Sequence, residues 1–155
     1  MKYTPQGPLG MYYEESEIGE VFITQGRTIT EADIANFGGT IGDFNPLHFD
    51  AEYAKKTMFG QRIAHGMLSL SFATGLVNQL GTNLGTILAF RGLEFTFKAP
   101  VFIGDTIHVE MTTTEKVDAP KFGGGWVTQA VKVIKQDGTV VQEGKWTALV
   151  ASKPS

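Results

Sequence analysis

From Ile63 to Phe90 the chain carries no Asp, Glu, Lys or Arg. A stretch of that length without charge belongs either in a bilayer or in a protein core. His65, Asn78, Gln79, Ser, Thr and several Gly interrupt it, so it never supplies the roughly 18 consecutive apolar residues that a membrane helix needs. Within it, Met67 to Leu80 places Leu68, Leu70, Phe72, Ala73, Leu76, Val77 and Leu80 around nearly every direction of a helix. The pattern predicts one helix buried on most sides, opened by His65-Gly66 and stopped by Gly81. At ~1.5 Å per residue it is roughly 20 Å long.

What surrounds such a helix is written in the second half. Leu93, Phe95 and Phe97 alternate with Glu94, Thr96 and Lys98, a half-buried strand pattern. Pro100 and Gly104-Asp105 break it before Ile107, Val109 and Met111 alternate with His108, Glu110 and Thr112. Trp126 to Lys135 and Val140 to Val150 read as a hairpin joined by Gln136-Asp137-Gly138. One buried helix and a run of long antiparallel strands predict an α+β hot-dog fold, a curved sheet wrapped around the helix. An open α+β sandwich is the structural alternative.

The first half is shorter in its elements. Residues 1–16 read as an extended lead-in and Val21 to Ile29 as a first strand. Thr30, with Asp33 three residues on, caps a short helix through Phe37 that Gly38-Gly39 ends. Asp50 caps another, Ala51 to Lys56. No repeat or linker divides the chain, so residues 1–155 are expected to form one domain. A net charge of −3 with no Lys/Arg run argues against nucleic acid as partner. The absence of cysteine removes disulfide scaffolding, thiolate catalysis and Cys-based zinc sites. The N-terminus lacks the apolar core of a secretion signal, so a cytoplasmic location is expected, without membrane attachment.

Chemistry concentrates in Gly42-Asp43-Phe44-Asn45-Pro46-Leu47-His48. Pro46 restricts both itself and Asn45, so the segment is expected to stay a stiff loop that cannot become helix. Asp43 and His48 then reach one small ligand, and a carboxylate with an imidazole makes an acid/base pair. On spacing alone, a turn-capping Asp and a structural His account for the same residues. The three histidines lack His-Glu-x-x-His spacing, so no metal site is expected. His65 is expected to hydrogen-bond near the helix start, and His108 to face solvent. Gly38-Gly39 and Gly123-Gly124-Gly125 read as turns. Arg62, Arg91 and Lys98 read as ordinary surface charge.

Asp43-Phe44-Asn45-Pro46-Leu47-His48, followed by His65-Gly66-Met67, resembles the MaoC-like family, and most closely its R-specific enoyl-CoA hydratases. The likeness runs from about Thr24 to Val101 and continues more loosely through the C-terminal strands. It implies Asp43 and His48 as the catalytic pair and Gly66 as the residue whose N–H meets the thioester oxygen. Gly66 also suits that role physically, because the first N–H groups of a helix lack internal partners and favour negative charge. Asn45 is expected to hold the loop as much as to touch substrate. Some members carry a serine where this chain has Thr74, which keeps the hydroxyl and adds a methyl. The resemblance further implies a homodimer joined edge to edge, and coenzyme A as part of the acyl-CoA substrate with no separate cofactor. A hot-dog thioesterase and a non-catalytic acyl-CoA-binding or regulatory dimer are the rival readings.

Overall fold

The structure, a computed structural model, describes residues 10–155. Of the expected lead-in, residues 1–9 lie outside the described residues, and Tyr13–Glu15 forms a 3-10 turn rather than extended chain. Strand β1 (Val21–Ile23) and strand β2 (Arg27–Thr28) replace the single first strand, both pairing with β4 (Thr106–Ala119). Between them Thr24 keeps the ladder closed, its N–H donating to Val109 O at 3.0 Å and its Oγ accepting from Val109 N at 2.9 Å. Helix α1 (Glu31–Ile41) starts on the full reciprocal capping box of Thr30 and Asp33. It runs through Gly38-Gly39 and stops at Gly42, which takes the left-handed conformation at φ 80°. Gly38 lies inside the helix, where a Cβ would collide with the Phe49 ring. Gly38 permits close packing, and the pair is not the stop signal it resembles.

The remaining elements are α2 (Pro46–Phe49), α3 (Ala51–Ala54), α4 (Gly66–Gln79), β3 (Ile87–Phe97), β5 (Gly124–Lys135) and β6 (Val140–Ala151). The antiparallel sheet has the order β1-β4-β5-β6-β3, with β2 also on β4. The β5–β6 hairpin turns at Gly138, where φ is 86°. Of the Gly123 to Gly125 run only Gly123 is a turn residue; Gly124 and Gly125 open β5. On the concave face Leu68, Ala73 and Leu76 of α4 meet Ile107, Val109, Met111, Val131, Val133, Val141 and Trp146. This is the hot-dog fold. Two surfaces are more open than the sequence pattern predicts. Helix α4 buries one face and leaves Gly66, Met67, Ser71, Thr74, Gly75 and Asn78 exposed, because the sheet covers a single side. Strand β3 lies at the sheet edge, and only Phe95 along it is even partly buried.

Candidate active site

The segment after α1 is where the local sequence and the site meet. Asn45 is the N-cap of α2, its Oδ1 accepting from Leu47 N at 3.0 Å, and Pro46 occupies the first helical position. A proline lacks the N–H that this position cannot use, so it begins a helix as readily as it breaks one. The expected loop is therefore a helical turn, and it carries His48. Asp43 precedes it, with Oδ1 accepting from Asn45 N at 3.1 Å. Asn45 thus accepts from the Leu47 N–H with its side chain and donates its own N–H to the Asp43 carboxylate.

Asp43 and His48 come together: Oδ2 of the carboxylate lies 3.9 Å from Nε2 of the imidazole. The His48 residue is 8% exposed, while the Asp43 side chain is 45% exposed, so the pair faces outward from a buried base. His48 Nδ1 is 2.8 Å from Ile63 O. A carbonyl only accepts, so Nδ1 carries a proton toward Ile63 O, and Nε2 is the ring nitrogen turned toward Asp43. A water ~2.8 Å from each acceptor would see the two about 90° apart across the 3.9 Å gap, close to its own bond angle.

His65 contributes more than local hydrogen bonding. Its Nε2 donates to Asp43 O at 3.0 Å, its ring stacks on His48, and Phe37 and Phe49 flank it. Asp43, His48 and His65 offer ligand atoms within 4.8 Å of one another, a spacing a cation accepts. The proton that His65 Nε2 gives to a carbonyl leaves the set two free lone-pair groups toward such an ion rather than three. Nothing in local sequence reveals this position, since the contact with Asp43 spans 22 residues; the His-Gly-Met motif is the signal that marks it.

Gly66 follows His65 directly and is the first residue of α4. Its N–H cannot bond within the helix, and a Cβ there would stand 2.9 Å from the Phe97 ring. Gly66, Met67, Phe97, Ser69 and Gln142 line a cavity of about 560 Å³ at this helix start. Thr74 is not brought to the pair. It lies eight residues along α4, about 12 Å in rise, and its hydroxyl donates back to Ser71 O at 2.6 Å. It borders a second cavity of about 370 Å³ whose walls include Val77, Ile87, Phe90, Leu93 and Trp146. Arg62 and Lys98 pair with Glu31 and Glu143, at 2.8 and 3.2 Å, and Arg91 lies over the Trp126 ring. His108 sits 3.6 Å from Glu110. Among the described residues no helix is long and apolar enough to cross a membrane.

The profile of the MaoC like domain family matches residues 14–136. An (R)-specific enoyl-CoA hydratase of Rhodospirillum rubrum is 39% identical over 145 residues, covering 92% of this chain and 93% of that protein. The structure of the R-hydratase PhaJ1 of Pseudomonas aeruginosa, 33% identical, superposes with a TM-score of 0.75 over 93% of this chain and 88% of that one. A structure described as a monoamine oxidase regulatory protein of Archaeoglobus is 41% identical, with a TM-score of 0.88 over 94% and 97% of the two chains. With the motif, the fold and the profile in agreement, the chain belongs to the MaoC-like domain family.

Proposed function

We propose that this protein reversibly hydrates 2-enoyl-CoA to (R)-3-hydroxyacyl-CoA. The observation that carries the reading is the 3.9 Å gap between Asp43 Oδ2 and His48 Nε2, a seat for one water beside the N-terminus of α4. Asp43, the more exposed of the two, takes a proton from that water as its oxygen bonds to Cβ. The π electrons move toward the thioester oxygen, where the Gly66 N–H stabilises the charge. The proton taken from the water is then delivered to Cα from the same side, with His48 Nε2 holding the water beside Asp43, so the pair ends as it began. Water is added without any change in oxidation state, so the chain needs no redox cofactor, and coenzyme A enters as part of the substrate. The (R) configuration follows the relatives named for it.

The acyl group fits along the exposed face of α4 toward the Thr74 cavity, whose walls are mostly aliphatic and aromatic. The exposed edge of β3, with Ile87, Leu88, Phe90, Leu93 and Phe97 each about half exposed, suits a second copy pairing edge to edge as a homodimer. A chain without cysteine is at home in the reducing cytoplasm.

A regulatory, non-catalytic role is the second reading, favoured by the description of the Archaeoglobus relative. One cuvette separates the two, and the thioesterase as well. Hydration removes the conjugated ultraviolet absorbance of crotonyl-CoA without freeing a thiol, and chiral analysis yields the R product. Free thiol appearing in step with substrate loss would establish a thioesterase. Silence across an enoyl-CoA panel would leave the regulator.

A further inference from the structure

The walls of the 370 Å³ cavity beside Thr74 are apolar except for Thr74, Asn78, Asn83 and Gln129. Thr74 spends its O–H on Ser71 O, and Asn78 is exposed. The Thr82 hydroxyl stands 3.5 Å from the Asn83 carboxamide, but a hydroxyl donates or accepts and so fixes no orientation there. Gln129 is different. It is half-buried on β5, and its direct cross-strand partner on β6 is Trp146, which lines the same cavity. The Trp146 indole N–H donates to Gln129 Oε1 at 3.0 Å. An indole nitrogen only donates, so this contact decides which end of the carboxamide is oxygen and which is nitrogen. The indole is itself held in place: it is 5% exposed, and the rings of Phe90 and Phe95 pack on it at centroid distances of 6.4 and 5.8 Å. The Gln129 NH2 is thereby turned away from Trp146, and it makes no hydrogen bond among the described residues.

An oriented donor in an apolar wall sets the chemistry of what lies against it. An amide nitrogen only donates, so its partner is an acceptor. No charged residue lines the cavity, and an anion there would go uncompensated, so the acceptor is neutral. A plain hydrocarbon chain would strip water from the donor and return nothing, the costlier side of any hydrogen bond. We propose that the acyl chain preferred by this protein carries a neutral oxygen acceptor in its distal part, a keto, hydroxyl or ether oxygen that receives the Gln129 NH2. The inference rests on the acyl-thioester reading above and narrows it from any enoyl chain to an oxygen-bearing one. Gln129 is then a specificity residue, which selects among chains and moves no proton. Selection of this kind is strong, because a site built around a hydrogen bond rejects the analogue that lacks it.

Calorimetry with saturated thioesters tests it, since these bind without being turned over. The probes are dodecanoyl-CoA and its keto isomers, the carbonyl moved one carbon at a time through the distal half of the chain. For the wild-type protein one isomer is expected to bind roughly five- to hundredfold more tightly than its neighbours, which bury an unpaired carbonyl. That isomer also binds more tightly than the plain chain. Gln129→Met keeps the length of the side chain and removes the donor, so the peak disappears and the plain chain gains affinity. Gln129→Glu keeps the acceptor for Trp146 and, when ionised, lacks the donor; it flattens the scan as well and serves if the Met variant fails to fold. A scan without a peak in the wild type overturns the proposal before any variant is made, and so does a peak that survives both substitutions. Crotonyl-CoA hydration is followed beside it. Turnover with a flat scan sinks this inference and leaves the hydratase, whereas a peak without turnover does the reverse.

Discussion

The imidazole rings of His48 and His65 lie face to face, their centroids 3.9 Å apart and 28° from parallel. With Nε2 of His65 on Asp43 O, one buried ring steadies both members of the acid/base pair. His65 is therefore a positioning residue, and its two duties separate by substitution. His65→Gln keeps a donor near the Nε2 position and loses the stack, whereas His65→Phe keeps the stack and loses the donor. Each is expected to lower kcat about tenfold or more with KM little changed, since misplacement by ~1 Å costs catalysis on that scale or beyond. A general packing role would instead move stability and KM, with kcat preserved in the folded fraction.

Asp43→Asn is expected to fold normally and to lower kcat by about 10²–10⁴, the usual range for a positioned acid or base. His48→Gln falls in the same range. Because the two handle one water, the double variant is expected to be scarcely worse than either. Kinetics of all four proteins check this, and multiplying losses would show two independent roles.

Thr74→Trp projects an indole into the 370 Å³ cavity. The ratio of kcat/KM for a dodecenoyl over a crotonyl substrate is expected to fall at least tenfold, since each buried methylene contributes about 0.8 kcal/mol. An unchanged ratio would place the acyl chain elsewhere.

The open edge of β3 predicts a dimer by light scattering, and Leu93→Lys, which sets a charge on that edge, is expected to shift it toward monomer. A wild-type monomer at working concentrations would reject edge pairing.

Away from the site, Asp105 and Lys135 form a buried ion pair at 2.7 Å, with side chains 11% and 10% exposed. Burial alone would raise the Asp105 carboxyl. Hydrogen bonds from Gln136, Lys135 and the Phe102 N–H, with the Lys135 charge, outweigh it and hold the group below its usual range. Asp105→Asn strands the Lys135 ammonium and is expected to cost about 3–5 kcal/mol in urea unfolding at neutral pH. A carboxyl depressed by folding stabilises fully above its unfolded value, near 3.9, and loses that contribution as pH falls through the folded value. The gap between wild type and variant should therefore narrow below about pH 4. A gap independent of pH would mean that the pair matters by shape alone.

Strand β4 was legible because burial there follows a period of two, with Ile107, Val109 and Met111 all buried, and the hairpin because Asp137-Gly138 marks its turn. Strand β3 carries the same alternation and yet is exposed, since periodicity reports two faces and not whether anything covers them. Pro46 reads as a breaker until its place at the first position of a turn is known. Asp43 and His48 were legible through a motif. The duties of His65 were not, because they arise between residues far apart in the chain.

The atoms that hold the catalytic pair are largely main-chain: Ile63 O fixes the His48 proton and Asp43 O anchors His65. A carbonyl cannot be removed by point mutation. Residue 63 is therefore free to change its side chain within the limits of its apolar setting without releasing the His48 tautomer. What endangers the site is an insertion, a deletion or a proline that displaces the backbone, so tolerance to substitution and intolerance to changes of length are expected side by side in the same short segment.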